Sequence, residues 1–230
     1  MLTGREDADH PLARRLCRFI EAANFPCVGA KAALNREGMR FVVAHDFRSA
    51  WDDLRILPAL LGLSKHYRAM PRLFQALAVV FEFGAPDNEE EFERVLWERL
   101  RSLTDKDEWL GQSPDDRVAH DPDDPHFAMS FGGEAFFVVG LHPKASRLAR
   151  RFDFPAMVFN LHDQFEQLRE AGRYDKLRAT IISRDVQLAG SVNPMLSPHG
   201  VLSAARQYSG RAVEDGWRCP FSGRGRPDAA

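Results

Sequence analysis

The sequence predicts an α+β fold, in which helices pack on a mainly antiparallel central sheet within a single domain. The predicted elements follow the order helix, strand, helix, strand, helix, hairpin, strand, helix, helix, which is not the regular alternation of a parallel βαβ sheet. A Gly132-Gly133 pair separates two strand-like runs, which is typical of a tight hairpin. A length of 230 residues suits one domain over residues 11–222, with flexible ends at 1–10 and 223–230.

The first third of the chain contains two helical patterns and one extended pattern. PLARRLCRFIEAAN predicts an amphipathic helix with Pro11 in its first turn. The stretch FPCVGAKAALN predicts a loop or short turn, and MRFVVAHDF predicts a strand. The stretch SAWDDLRILPALLGLSKHYR predicts a helix with a break near Pro58, because proline lacks a backbone donor and clashes with the preceding turn.

The middle of the chain contains the clearest helix, DNEEEFERVLWERLRSL. Asn88 can cap it, Glu91 occupies the reciprocal position of a capping box, and acidic residues fill its first turn. Its predicted apolar face consists of Phe92, Val95, Leu96, the aliphatic stem of Arg99, and Leu103. The preceding stretch RLFQALAVVFEF is ambiguous, and its second half favours a strand.

The second half of the chain predicts three more strands and two more helices. FAMSFGG and EAFFVVGL form the hairpin, and PAMVFNL is a further strand. HDQFEQLREAG predicts a helix ending at Gly172, and RYDKLRATIISRDVQLAG predicts one ending at Gly190. The remainder is irregular apart from one short helix, and irregular segments of this length are often functional.

Composition excludes several classes of protein. The formal net charge of -2 provides no general attraction to nucleic acid or anionic membranes. Three cysteines without a CxxC pair disfavour a disulfide framework and a zinc ribbon, and fit a reducing compartment. The N-terminus lacks the apolar segment of a signal peptide, and no apolar run approaches the roughly 20 residues of a membrane helix. The sequence therefore predicts a cytoplasmic protein.

Common catalytic motifs are absent from the sequence. It contains no dinucleotide-binding GxGxxG at a strand-to-helix turn, no P-loop, no HExxH and no GxSxG elbow. These absences argue against a nucleotide-dependent enzyme and against a serine hydrolase. No basic patch with interleaved aromatic residues indicates nucleic-acid binding.

The stretch FFVVGLHPKASRLARRF contains the first candidate site. His142 directly follows the strongest predicted strand, and a neutral imidazole is a common ligand for transition metals. Arg147, Arg150 and Arg151 follow it, and positions 147 and 151 would share one helix face. Such guanidinium groups suit carboxylates or phosphates. The structural alternatives are a histidine that hydrogen-bonds backbone at a strand end and a solvated basic face.

A second candidate site lies at the next strand-to-helix junction. His162 begins a predicted helix, where the positive end of the helix dipole favours the neutral imidazole. Glu166 lies one turn later, so the pair could bind a non-haem metal or simply form a surface pair.

Two cysteines and one polar segment complete the candidates. Cys27 and Cys219 each adjoin a proline, and a thiolate can ligate haem iron, although a buried, inert cysteine is the usual case. The segment ARQYSGR brings Arg206, Tyr208 and Arg211 together, either to bind a polar substrate or as a surface turn.

Several of these stretches together resemble the YqcI/YcgG family. They run from residue 24 to residue 221 in the family's order, as NFPCVGAKAALN, FFVVGLHPKASRLARRF, MVFNLHDQFEQLR, RDVQLAGSVNPML, ARQYSGR and WRCPF. The better-understood members are haem-dependent N-oxygenases that hydroxylate a nitrogen of arginine or of an arginine-like guanidino acid. The resemblance implies haem b, O2 as co-substrate and an electron or peroxide source.

The resemblance also gives the candidate residues roles. His142 becomes the candidate axial ligand of the iron, with His162 as its rival, and the other histidine could steer protons to bound dioxygen. Arg147, Arg150 and Arg151 become candidates for the haem propionates. Asp163 and Glu166 are candidates for the substrate's guanidinium. Arg206 and Arg211 are candidates for its carboxylate, and Tyr208 is a candidate catalytic residue beside them. His45 and His199 rank lower, because the family is expected to have no fixed histidine there.

Two other functions stay open. A non-haem iron oxygenase would use His142 and His162 with Glu166 or Asp163 as a facial triad. A non-catalytic haem-binding or haem-sensing protein could use the Cys219-Pro220 pair. The expected partners are a small guanidino or amino-acid substrate and an electron donor, without nucleic acid or membrane. The oligomeric state is open, with a homodimer among the expected arrangements.

Overall fold

The computed structural model describes residues 7–196 and 200–223. The helices of these residues are α1 Pro11–Glu21, α2 Val28–Asn35, α3 Asp53–Ala69, α4 Glu89–Trp109, α5 Asp163–Glu170, α6 Tyr174–Ala189 and α7 Ala205–Tyr208. The strands are β1 Met39–Asp46, β2 Ala76–Phe83, β3 Met129–Phe131, β4 Glu134–Leu141 and β5 Ala156–Leu161. Short 3-10 helices cover Ala50–Asp52, Leu148–Arg150 and Pro220–Gly223.

The five strands form one mixed sheet in the order β1-β2-β5-β4-β3. β1 and β2 are parallel, and α3 makes the crossover between them, because parallel neighbours need a long connection. The other three pairings are antiparallel. The protein is therefore α+β with a mainly antiparallel sheet, as the sequence predicts.

Helices cover both faces of the sheet and divide the core into two parts. On one face, α3 and α4 bury Ile56, Leu60, Phe92 and Leu96 against alternate residues of the central strands. On the other face, α1 packs against the intervening residues of β1 and β2. Because β2 is buried on both faces, residues 76–81 are all apolar and all buried, and the period-two alternation disappears from its sequence.

Several local predictions are confirmed. The side chain of Asn88 accepts the backbone N–H of Glu91 at 2.8 Å, which caps α4. Glu91 in turn accepts the N–H of Asp87 at 2.7 Å. Gly132 and Gly133 have φ of +58° and +76°, as expected for the two central residues of a type I′ turn.

Three local predictions are wrong. Residues 28–35 form α2 instead of a loop, because the Cys27 thiol caps the helix by accepting the N–H of Ala30 at 3.4 Å. α3 continues through Pro58, which lies on the exposed side, where water can hydrate the carbonyl left without a donor. Arg147 and Arg151 flank a 3-10 turn, so they do not share an α-helical face.

The part of the predicted flexible N-terminus that the structure describes is attached to the sheet edge. The carboxylate of Asp7 accepts the backbone N–H of Val43 in β1 at 2.9 Å and pairs with Arg55. The ring of His10 caps α1 by accepting the N–H of Leu12. Among the described residues, no helix combines the length and the apolar content needed to cross a membrane.

Candidate functional site

His142 occupies the point where β4 ends and the chain turns back. Its backbone N–H donates to the carbonyl of Arg150 at 3.1 Å, and its carbonyl accepts from Ala145 at 3.3 Å. Phe136 and Val138 face α3 and α4, and the period of two in β4 places His142 on the same face. The imidazole is completely buried there.

The imidazole of His142 is one end of an aromatic stack. It lies on the ring of Phe92, in the first turn of α4, with the ring centroids 4.0 Å apart and the planes 19° apart. Phe47 stacks on Phe92 at 5.1 Å. Gly140 makes this approach possible, because a Cβ at position 140 would lie 2.5 Å from the Phe92 ring. The stack covers a face of the imidazole and leaves the nitrogens at the ring edge.

Both ring nitrogens of His142 lack a hydrogen-bond partner among the described residues. Burial, with a smaller contribution from the charge of Arg150, lowers the pKa of His142 to about 4. The imidazole is therefore neutral at physiological pH, with one N–H and one lone pair unused. Buried polar groups are normally satisfied, and an unsatisfied one costs about 1–3 kcal/mol. A neutral imidazole with a free lone pair is the form that binds a metal.

The three arginines after His142 are engaged within the protein. Arg150 donates to the carbonyls of Gly140 at 3.0 Å and Gln207 at 3.1 Å. Arg147 forms an ion pair with Asp185 and donates to Ser191. Arg151 donates to the carbonyls of Ala145 and Ser146. Of the three side chains, only that of Arg151 belongs to an exposed residue.

The segment from Ser203 to Trp217 packs beside the same end of the sheet and against α4. Glu93 is buried, and its carboxylate accepts hydrogen bonds from Ser209 at 3.0 Å, Arg211 at 2.5 Å and the indole of Trp217 at 3.4 Å. Since Glu93 follows Phe92 directly, one turn of α4 both stacks on His142 and anchors this segment.

Tyr208 lies deeper in the core than its predicted catalytic role requires. Its side chain is fully buried, and its hydroxyl donates to the carbonyl of Phe136 at 3.2 Å. The hydroxyl also accepts the N–H of Met129 at 3.4 Å. Burial raises the pKa of Tyr208, so the phenol stays protonated. In this conformation the hydroxyl joins β3 and β4 to α7.

His162 lies at the opposite end of the β4–β5 ladder. Leu141 pairs with Ala156, and Phe136 pairs with Leu161, so the strand ends that carry His142 and His162 are far apart. At about 3.3 Å per residue, the two backbones are separated by roughly 20 Å. The two histidines therefore do not face one another across a single ligand, and the expectation that the second one acts distally at the same iron is wrong.

His162 and its neighbours form a separate polar cluster. The side chain of His162 is 18% exposed, and its Nδ1 lies 3.9 Å from Glu166. Asp163 accepts from the hydroxyl of Tyr67 at 2.7 Å and pairs with Arg117 at 3.3 Å. The proposed guanidinium-binding carboxylates thus lie at the opposite end of the strands from Arg211.

The facial triad fails on the same geometry, because His142 cannot reach a metal beside His162. No group of three or more His, Cys, Asp or Glu side chains within the described residues is arranged to hold a metal ion. Cys219 is buried, and burial raises the pKa of its thiol to about 12, which disfavours the thiolate that iron ligation requires. His45 is exposed at the end of β1, and His199 lies outside the described residues.

Sequence reasoning missed Glu93 and Gly140. Glu93 shares a helix face with Trp97 and Leu100, so an acid in an apolar stripe was a signal that periodicity could have found. The sequence holds no such signal for Gly140, because the need for a glycine within a strand depends on which side chain packs closely against it in the tertiary structure. The polar cluster around Tyr67 and Asp163 joins residues 96 positions apart and is invisible in the sequence.

Comparison with known proteins gives one family. The chain matches the model of the YqcI/YcgG family over residues 16–222 and belongs to that family. It is similar to the uncharacterised protein YqcI of Bacillus subtilis (strain 168), with 26% identity over 209 residues, covering 86% of this chain and 80% of the relative. No solved structure matches the chain.

Proposed function

From its membership of the YqcI/YcgG family, we propose that this protein is a haem-dependent N-oxygenase with His142 as the axial ligand of the iron. The substrate is arginine or an arginine-like amino acid, hydroxylated on a guanidine or amine nitrogen. One observation carries the choice of ligand: His142 is completely buried and neutral, and neither of its ring nitrogens has a partner among the described residues. Haem b, when bound, supplies the activation of O2.

The chain's own residues fit this role in part. Phe92 fixes the plane of the imidazole, and the low pKa of His142 keeps a lone pair available without the loss of a proton. Arg147 and Arg150 are committed to internal partners. Arg151 is therefore the arginine best able to meet a propionate, because its guanidinium forms no ion pair among the described residues.

Access to His142 requires movement of its surroundings. The imidazole has no exposed surface, and the segment from Ser203 to Trp217 is anchored next to it through Glu93. Loading with haem must therefore displace part of this packing. Free energy gained by ligating the unpartnered nitrogen would offset that displacement.

The remaining parts of the proposal concern substrate and setting. Arg206 is the better candidate for the substrate carboxylate, because Arg211 is paired with Glu93. The reaction needs an electron donor. A reducing compartment such as the cytoplasm is supported by three cysteines that form no disulfide within the described residues.

The test is an absorption spectrum of protein expressed with a haem precursor, compared among the wild type, His142→Ala and His162→Ala. The wild type is expected to show a stoichiometric Soret band. His142→Ala should lose the haem or shift the band sharply, while His162→Ala, the matched control roughly 20 Å away, should retain it.

The outcomes separate the alternatives. A band lost in His162→Ala and retained in His142→Ala would move the axial role to His162. A band that shifts when L-arginine is added supports a guanidino substrate. A Soret band that does not shift with any amino acid tested would favour a non-catalytic haem protein. Folded wild type without a Soret band would overturn the haem proposal.

A further inference from the structure

A small cleft lies between the loop before β3 and the C-terminal segment. Its volume is about 110 Å³. It is lined by Pro122, Asp123, Pro125, Val201, Leu202, Ser203, Arg206 and Trp217. Most of these side chains are apolar, and two carry opposite charges.

The two charged residues are available to a ligand. Arg206 donates one N–H to the carbonyl of Glu214 at 2.5 Å, and its guanidinium lies over the ring of Trp217, 5.6 Å from the centroid. Among the described residues, neither Arg206 nor Asp123 forms an ion pair. An arginine and an aspartate that line one cleft without pairing present separate positive and negative ends.

The cleft volume limits what can bind. A cavity of about 150 Å³ holds benzene, which has six non-hydrogen atoms, so this cleft holds about four to five. The head group of an α-amino acid has that number: the nitrogen, the α-carbon and the three atoms of the carboxylate. A longer side chain would extend out of the cleft.

The cleft is connected to the His142 site through α4. The indole of Trp217 donates to Glu93 at 3.4 Å, and the residue before Glu93 is Phe92, which stacks on His142. A ligand in the cleft would contact Trp217, and the indole of Trp217 is hydrogen-bonded to the residue that follows Phe92 in α4.

We propose that this cleft binds the zwitterionic head group of an amino acid. Arg206 pairs with the α-carboxylate, Asp123 pairs with the α-ammonium, and Trp217 with Leu202 contacts the first carbons. The identity of the side chain rests on the proposed N-oxygenase function, but recognition of the head group does not require haem.

The test is isothermal titration calorimetry on haem-free wild type with three probes. L-Arginine carries both head-group charges, agmatine lacks the carboxylate, and 5-guanidinopentanoate lacks the ammonium. We expect each truncated probe to bind at least about tenfold more weakly than L-arginine, since a charge-assisted contact is lost in each case. Equal affinity for all three probes, or no binding of L-arginine, would overturn the proposal.

Two variants assign the contacts. Arg206→Gln should weaken the binding of L-arginine by about tenfold or more and leave the affinity for agmatine unchanged. The preference of the protein for L-arginine over agmatine should therefore disappear. Asp123→Asn should weaken the binding of L-arginine by about tenfold or more and leave the affinity for 5-guanidinopentanoate unchanged. Arg218→Gln and Asp116→Asn are the matched controls, because both residues are exposed and neither lines the cleft. Control variants that bind L-arginine as weakly as the cleft variants do would contradict the assignment of these contacts to Arg206 and Asp123.

The results distinguish this proposal from the proposed function. Binding that follows the head-group charges in a protein without a Soret band would retain the cleft and reject the haem enzyme. A haem-loaded protein with no dependence on the head group would retain the enzyme and reject the cleft.

Discussion

At the scale of single residues, His142 is a feature that folding alone does not explain. A buried imidazole with two unpartnered nitrogens destabilises the folded chain, whereas an apolar side chain of similar size would not. Under the haem proposal, the iron would complete the bonding of one of these nitrogens. His142 is therefore expected to lower the free energy of unfolding of the haem-free protein, and this effect can be measured.

His142→Leu is expected to stabilise the haem-free protein at pH 7 by about 1–3 kcal/mol, because the unsatisfied nitrogens are removed. The measurement is the free energy of unfolding in urea. His45→Gln, at an exposed histidine, should change it by less than about 0.5 kcal/mol. A large loss of stability in His142→Leu would show that the nitrogens are satisfied in solution.

The same variant should also change the pH dependence of stability. The pKa of His142 is lowered to about 4 from 6.5, so between these values the unfolded chain binds more protons than the folded one. The contribution of His142 to the free energy of unfolding is complete above pH 6.5 and falls by about 3 kcal/mol as the pH drops to 4. His142→Leu should lack this loss, which unfolding curves at pH 7 and pH 4.5 can show.

Asp107 should have the opposite pH dependence. It is buried, its carboxylate accepts the N–H of Gly132 at 3.1 Å, and burial raises its pKa to about 6 from 3.8. Between those values the folded chain binds more protons at Asp107 than the unfolded chain does. The contribution of Asp107 to the free energy of unfolding therefore falls by about 3 kcal/mol as the pH rises through this range.

Asp107→Asn keeps an acceptor for Gly132 and removes the charge. It should raise the free energy of unfolding at pH 7 by about 2–3 kcal/mol and have little effect at pH 3.5. Asp105→Asn, at an exposed position of the same helix, is the control. Equal stabilisation at both pH values would mean that the effect is not one of ionisation.

At the scale of elements, α4 connects the two parts of the proposed site. Near its start, Phe92 packs against His142 and Glu93 binds the C-terminal segment. Glu93→Gln removes the charge that Arg211 neutralises, and should destabilise the protein by about 1–3 kcal/mol.

Hydrogen exchange of Glu93→Gln should locate that loss. Amides of the segment from Ser203 to Trp217 are expected to exchange faster, while those of β2 keep their protection. Glu98→Gln, which affects only an exposed pair with Arg94, should change neither. Uniformly faster exchange over the whole chain would indicate global destabilisation and no specific anchor.

Pro58 offers a test on α3. The helix accommodates this proline because the buried faces of Ile56, Leu57 and Leu60 hold it against the sheet. Pro58→Ala should restore a backbone hydrogen bond and raise the free energy of unfolding by about 1–3 kcal/mol. Lys65→Ala, at an exposed position of the same helix, should be near neutral. A destabilised Pro58→Ala would mean that the proline itself shapes the packing of α3.

At the scale of the whole molecule, the sheet has an edge at β1 that the N-terminal segment partly covers. Asp7 accepts the N–H of Val43 and pairs with Arg55. Asp7→Ala should destabilise the protein by about 1 kcal/mol and expose an edge N–H, which favours association between chains. Sedimentation over a range of concentrations measures this, with Asp9→Ala as the control because Asp9 is 91% exposed. A variant that associates no more than wild type would show that the edge is protected by other means.

The sequence by itself determined the α+β class, the start of α4, the hairpin at Gly132-Gly133 and the presence of a histidine at the end of β4. Each follows from local rules of periodicity, capping and turn geometry. It could not show that α2 begins at Cys27, because cysteine is not among the residues that usually cap a helix. Nor could it show that α3 passes through Pro58, because tertiary packing overrode local propensity there.

Only the tertiary structure decided how the candidate residues are grouped. The antiparallel pairing of β4 and β5 places His142 and His162 at opposite ends of the two strands, although both follow strands in the sequence. The same fold binds Arg147 and Arg150 to internal partners and brings Asp123 to the cleft that contains Arg206. The physical reason is that local patterns assign residues to elements, whereas the distances between elements depend on long-range pairing of strands and on burial.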